Sequence, residues 1–435
     1  MAKLYSIILV FYSLSAFGQT YFTATPEGFG MATTGGGDGP QVTVTTYNEL
    51  KTQLILETPK VILVSGVINI SAGQHISEVI TDKTIIGLPG ARLVNNTQTQ
   101  SGSGILNLQN GSNNIIIRNL IFEGPGAYDT DGRDNLTADG CTNLWVDHCE
   151  FQDGVDGNFD IKGNSDNVTV SWCKFTYLKP PVAGGPGGSN DHRYSNLVGS
   201  SDSQSPPDGH YSVTFQNCYW ADGCKERMPR ARNAELHILN CYYNTNVSSS
   251  RALGFSGGIN SLSSYVENSD FANIGTVYQS YGGTVSLEFE NCINGVSNLG
   301  SVDAPTYDYS VLPVAEVASI IGDTECGAGA TLQVSSTGAV SSSCDNLNSN
   351  SFELSAIDIY PTLIENSMSF KFPSGNVSDL SISIYSISGQ KIFSNVIEYE
   401  ANEEVSINLE HFSQGVYFVK LLFENTYRTI RVIKK

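Results

Sequence analysis

"NLWVDHCEF" occupies residues 143–151, and a near copy, "NVTVSWCKF", follows at 167–175. Each alternates apolar and polar residues as a strand does, then passes His or Trp, a cysteine and an aromatic residue. The signature recurs as "NIIIRNLIF" (114–122), "YSVTFQNCYW" (211–220), "ELHILNCYY" (235–243), "SSYVENSDF" (263–271) and "SLEFENCIN" (286–294). Aligned on the residue after the strand (Asn119, His148, Trp172, Asn217, Asn240, Asn268, Asn291), the steps are 29, 24, 45, 23, 28 and 23 residues, the 45 reading as two coils. One short strand signature per coil at such a period marks a solenoid. The leucine consensus of a leucine-rich repeat is missing, and the period is short for a propeller blade. The reading is an all-β chain dominated by a right-handed, single-stranded parallel β-helix. Stacking at ~4.8 Å would align the Asn-type residues in a ladder, each bonding the next coil. It would also turn Cys149, Cys173, Cys218, Cys241 and Cys292 inward as packed thiols rather than disulfides.

Outside the repeat the texture changes. Lys3 followed by "YSIILVFYSLSAF" (5–17), with the small residues Ala16 and Gly18, reads as a secretion signal over 1–18. The β-helix is expected over 19–326. Residues 327–354 are rich in Gly and Ser and read as a linker. An exported chain permits a Cys326–Cys344 disulfide. From 355 to 435, "LSISIYSISGQKIFSN" (380–395) and "FSQGVYFVKLLFENTYRTIRVIKK" (412–435) carry strands separated by "SG" and "QG" turns, which predicts a small antiparallel β-sandwich.

A net charge of −20 and a pI near 4.6 argue against nucleic acid or an anionic membrane as partner. Against that background, "CKERMPRAR" (224–232) gathers Lys225, Arg227, Arg230 and Arg232. Such a cluster repels itself unless an anion arrives, and the guanidinium fork suits carboxylates. Pro229 fixes the local path. Upstream, "DTDGRDNL" (129–136) and "DGVDGNFDIKG" (153–163) place Asp134, Asp156 and Asp160 at turns leading into strands. Any one Asp needs no more than its turn preference to be there. Converged by stacking, however, their oxygens suit a hard cation, Ca²⁺ above all. Lys162 follows Asp160 by two and shares its face. His192 and Arg193 lie in a Gly-rich loop and could orient Lys179 or neighbouring Asp residues. Trp145 and His148 read as packing residues. An acidic, cation-holding cluster beside a cationic one suits a polyanionic sugar.

Taken together, "TTGGG" (33–37), "VSGVI" (64–68), "NLWVDHCEF", "DGNFDIKGNSDNVTVSW" (156–172), "DHRYSNLVGSSD" (191–202) and "ERMPRAR" (226–232) resemble the pectate lyases of the parallel β-helix family. The resemblance implies Arg227 as the proton-abstracting base. It implies Arg232 and Lys179 as substrate-binding residues, joined here by Arg230 and Lys162. It places the calcium ligands on Asp134, Asp156 (often Glu in the family) and Asp160, with Asp131 as a further ligand if one residue is inserted. The implied reaction is Ca²⁺-dependent β-elimination on de-esterified polygalacturonate by a monomer. Three alternatives stand beside it: a metal-free pectin lyase, a polygalacturonase working with paired carboxylates, and a non-catalytic binder of acidic glycans. The last eighty residues, with "IYPT" (359–362), "IYSISGQKI", "QGVYFVKL" and a terminal "IKK", resemble the C-terminal sorting domain of the type IX secretion system of Bacteroidota. That implies engagement of this machinery and a secreted or cell-surface location.

Overall fold

The structure, a computed structural model, describes residues 22, 24–341, 357–371, 377–399, 404–423 and 426–435. The expected signal at 1–18 and Cys344 lie outside these residues. The chain divides into two compact units, with the break after Cys344.

In the first unit each coil spends one strand in each of three parallel sheets. Thr142–Asp147 lies in the first sheet, Glu150–Gln152 in the second and Phe159–Lys162 in the third. The chain then returns to the first sheet as Asp166–Ser171, with Leu144 over Val168 and Val146 over Val170. Alternation along each strand turns Leu144, Val146, Phe151, Phe159 and Ile161 into the core. The first sheet stacks ten strands, from Gln41–Val44 to Val285–Glu290, and the other two stack eight each.

The Asn-type residues after the first-sheet strand all occupy the left-handed region, with φ between 44° and 55°. A short amide tolerates that corner better than most side chains, which accounts for the asparagines. Asn240 Nδ2 donates to Asn217 Oδ1 (2.9 Å) and Asn119 Nδ2 to Gly87 O (2.9 Å), while the rings of His148 and Trp172 stack at 5.3 Å. At five of these seven corners the next residue is an inward cysteine. Cys149, Cys173, Cys218, Cys241 and Cys292 are free thiols, and each donates to a carbonyl of the preceding coil at 3.3–3.6 Å. Beside them Phe122, Phe151, Phe175, Trp220, Tyr243 and Phe271 form one stack with centroids 4.4–5.5 Å apart.

One expectation is corrected. The 45-residue step from Trp172 to Asn217 is a single coil, because Asp166–Ser171 pairs directly with Tyr211–Gln216. The surplus residues loop out on either side of the short third-sheet strand Leu197–Val198. "LKPPVAGGPGGSN" (178–190), with its Pro and Gly, is the sequence of the first excursion.

The N-terminal end is closed by the helix Tyr47–Leu54, which starts in a Thr46/Glu49 capping box and buries Leu50 and Leu54 in the core. Near its other end the unit turns back across the ladder corners. Leu312 N donates to Asn240 Oδ1 (3.0 Å), Gly329 N to Trp172 O (2.9 Å) and Leu332 N to Asn119 Oδ1 (2.9 Å). Leu332 and Val334 bury themselves with Leu63 and Ile86. The start of the Gly/Ser-rich stretch is therefore packed on the β-helix rather than free of it. Cys326 is disulfide-bonded; its expected partner, Cys344, is outside the described residues.

The second unit has a three-stranded antiparallel sheet and a five-stranded sheet. The latter is antiparallel except where Leu363–Ile364 runs parallel to the last strand. Ile364, Phe370, Leu380, Ile382, Ile407 and Val419 fill the core.

Candidate active site

The third sheet positions the chemistry. Its register sets Thr137 beside Asp160, Asp139 beside Lys162 and Leu197 beside Arg230. Ala138, Ile161, Val198 and Ala231 point inward and are buried, so the intervening Asp160, Lys162, Arg230 and Arg232 share the outer face. Asp160 and Arg230 lie two coils apart, roughly 9.6 Å at the usual strand spacing. The approach segments stack as well, since Gly157, Tyr194 and Glu226 form successive parallel bridges. That places Asp156 and Arg227 at the entrance to the same face.

Asp134 is buried, with Oδ2 accepting from Thr137 Oγ1 (2.8 Å) and lying 3.9 Å from Lys162 Nζ. Its Oδ1 is buried with no hydrogen-bond partner. Asp160 Oδ1 accepts from Leu197 N (3.0 Å), and Asp156 Oδ1 meets His192 Nε2 (2.8 Å). Gly157 holds the space between them: a Cβ there would stand 2.8 Å from Asp134 Oδ1 and 2.9 Å from Asp160 Oδ1. Burial, then the charge of Asp156, pushes Asp134 up to about 6. Burial, then Asp134, pushes Asp160 well above the usual carboxylate range. Lys162 and Arg227 oppose both shifts. Among the described residues, no three carboxylate, imidazole or thiol groups gather closely enough to hold a metal ion as they stand. The orphaned oxygen, the glycine cradle and an all-oxygen donor set nevertheless fit a hard cation. Asp131 is placed differently: it is exposed at φ 51°, where its carboxylate accepts from Gln100 Nε2 (3.3 Å).

Arg227 has a left-handed backbone (φ 60°), and its guanidinium lies 4.6 Å from the Tyr194 ring centroid. Arg230 sits 3.6 Å over Tyr281. Arg232 donates to Gly199 O (2.7 Å) and pairs with Asp202 (3.1 Å). Burial and the neighbouring Arg230 hold Arg232 below the ordinary arginine value, with Arg227 adding to the effect. Tyr194, Glu226, Arg227, Arg230, Arg251 and Tyr281 line a cavity of about 130 Å³. Lys179 is turned elsewhere, donating to Gly124 O (2.7 Å) and pairing with Glu123 (3.3 Å).

The fold thus brings together Asp134, Asp156, Asp160, Lys162, Arg227, Arg230 and Arg232, and it engages Lys179 and Asp131 at other contacts. Sequence reasoning passed over Tyr194, Tyr281 and Asp129. Asp129 accepts from Ser189 N (2.5 Å) and faces His192 Nδ1 (3.4 Å), which ties the 177–196 excursion to the site. Only the coil register reveals these partners. Trp145 and His148 do pack: His148 Nδ1 meets Asp147 Oδ2 (2.9 Å), and Trp145 lies 4.5 Å from the Arg118 guanidinium.

A family model described as "Pectate lyase" matches residues 6–318, and one described as "Secretion system C-terminal sorting domain" matches 358–435. A pectate trisaccharide-lyase of Thermotoga sp. (strain RQ2) is 37% identical over 50% of this chain and 54% of its own length. The chain thus spans about half the length of the first curated relatives it matches. Pectate lyase A of Aspergillus niger is 30% identical over 69% of this chain and 88% of its own. A Bacillus subtilis pectate lyase structure covers 72% of this chain and 99% of its own at 20% identity, with a TM-score of 0.54, a likeness of fold.

Proposed function

The chain belongs to the pectate lyase family, and from that premise we propose that it cleaves de-esterified polygalacturonate by β-elimination, leaving 4,5-unsaturated oligogalacturonides. The observation that carries the reading is the one sheet face on which buried Asp160 lies two coils from Arg230, with buried Asp134 and half-buried Asp156 beside Asp160. A structural neighbour from Bacillus sp. N165 was solved in complex with trigalacturonate. Asp134, Asp156 and Asp160 would hold Ca²⁺, which when bound draws charge from the substrate carboxylate and acidifies the proton at C5. Arg230, Arg232 and Lys162 hold further uronate carboxylates. Arg227, steadied over Tyr194, takes the C5 proton. The electrons of that C–H bond form the C4–C5 double bond as the C4–O bond breaks, and the leaving oxygen is protonated from solvent. Free arginine stays protonated until above pH ~12, so the rate should climb with pH on the alkaline side. A pH–rate profile peaking at acidic pH would remove Arg227 from the role of base. The sorting domain supports export to the cell surface or medium through the type IX machinery.

A further inference from the structure

Asp156 is held by an imidazole, where Asp134 and Asp160 accept from Thr137 and Leu197. The contact of its Oδ1 with His192 Nε2 (2.8 Å) fixes that oxygen and leaves Oδ2 to a cation. His192 is itself buried, and its ring packs 4.2 Å from that of Tyr194, which covers Arg227. On its far side Nδ1 is buried without a hydrogen bond, although Asp129 Oδ1 stands 3.4 Å away. The imidazole thus lies between two carboxylates, bonded to one and just short of bonding the other. Asp129 in turn anchors the excursion. Its carbonyl accepts from Gly187 N (2.8 Å) and its Oδ2 from Ser189 N (2.5 Å), while Val182 N donates to Ala127 O (2.8 Å). A Cβ on Gly187 would overlap the Asp129 carboxylate, so the two are closed against each other. From Leu178 to Asn190 no residue is buried, and the first buried residue after them is His192. A segment with so little apolar burial depends on a few hydrogen bonds for its order.

We propose that His192 is a positioning residue that makes a cation at Asp156 and the order of the 178–190 excursion depend on each other. The proposal rests on the reading that Asp134, Asp156 and Asp160 hold Ca²⁺. With Asp156 fixed by a cation, His192 is fixed as well, and through it Asp129 and the excursion. Coupling of this kind is reciprocal, so loosening the excursion weakens the cation.

The test uses the full chain with calcium alone. Hydrogen exchange across 178–190 should slow at least about fivefold when Ca²⁺ is added to the parent. Isothermal titration then gives the Kd for Ca²⁺ in Gly187→Ala, His192→Leu and the double variant. Gly187 lies against Asp129 rather than the three carboxylates. Gly187→Ala should nevertheless weaken Ca²⁺ at least about fivefold in the parent, and less than about twofold in the His192→Leu background. His192→Gln keeps an N–H donor for Asp156 and should fall between the parent and His192→Leu. Equal weakening by Gly187→Ala with and without His192, or unchanged exchange at 178–190 with Ca²⁺ bound, would overturn the coupling and leave the cation reading standing. A parent that binds no Ca²⁺ would overturn both. Should His192→Leu not fold, the exchange comparison in the parent decides alone.

Discussion

Arg227 combines a demanding backbone with the proposed chemistry. A non-glycine residue at φ 60° costs on the order of 1 kcal/mol or more. Arg227→Gly should relieve that cost while losing the contact with Tyr194. Thermal melts should then place its stability within about 1 kcal/mol of the parent, while the initial rate falls at least about 100-fold. A variant that retains its rate would show that the base lies elsewhere. The second residue-scale prediction concerns Asp147, which accepts from Arg118 Nε (2.8 Å) and Ser171 Oγ (2.6 Å) and contacts His148. Burial alone would raise its carboxyl, but His148 and Arg118 hold it below its ordinary value of 3.8. The stability it contributes is therefore present above pH 3.8 and is lost as pH falls through the folded-state value. Asp147→Asn should cost about 3–5 kcal/mol at pH 7, because Arg118 is left without its carboxylate. Its stability should also change less than the parent's as the pH drops below 3.8. Parallel acid-side curves for the two proteins would refute the assignment.

At the scale of the coil, Asn240 joins a left-handed corner (φ 53°) to three hydrogen bonds, with Asn217, Ser310 O and Leu312 N. Asn240→Ala loses the bonds and keeps the strained corner, and should cost about 2–3 kcal/mol. Asn240→Gly loses the same bonds but suits the corner, so denaturant midpoints should rank it above Asn240→Ala. The opposite ranking would mean that the corner imposes no strain. These corners are also why the fold was legible. A repeated demand for left-handed φ, followed by an inward thiol and, two residues on, a stacked aromatic, writes itself into the sequence as Asn-Cys-x-aromatic. Asp134, Asp160 and the arginines were legible for a related reason, since they lie at fixed offsets from strands. Register across coils leaves no such trace, so Tyr194 beneath Arg227 and Asp129 beside His192 came only from the structure. The 45-residue step misled because a count of residues cannot separate a second coil from two surface excursions.

For the whole molecule, the acidic charge and the proposed anionic substrate make binding depend on local positive charge, whether from arginines or from a cation. A cation held only by the folded chain stabilises it, by about 2.7 kcal/mol at a hundredfold excess over Kd. Calcium should accordingly raise the melting temperature of the parent and move Asp160→Asn much less. Equal shifts in both proteins would place the ion elsewhere. The most direct test of the account is the growth of ultraviolet absorbance from unsaturated chain ends during incubation with polygalacturonate, with Ca²⁺ and with a chelator. Elimination at Arg227 beside a cation held by Asp134, Asp156 and Asp160 gives a signal that grows with Ca²⁺ and stops with the chelator. Chain shortening without that absorbance would mean hydrolysis, and intact polymer would leave a binding protein; either result would contradict elimination at Arg227.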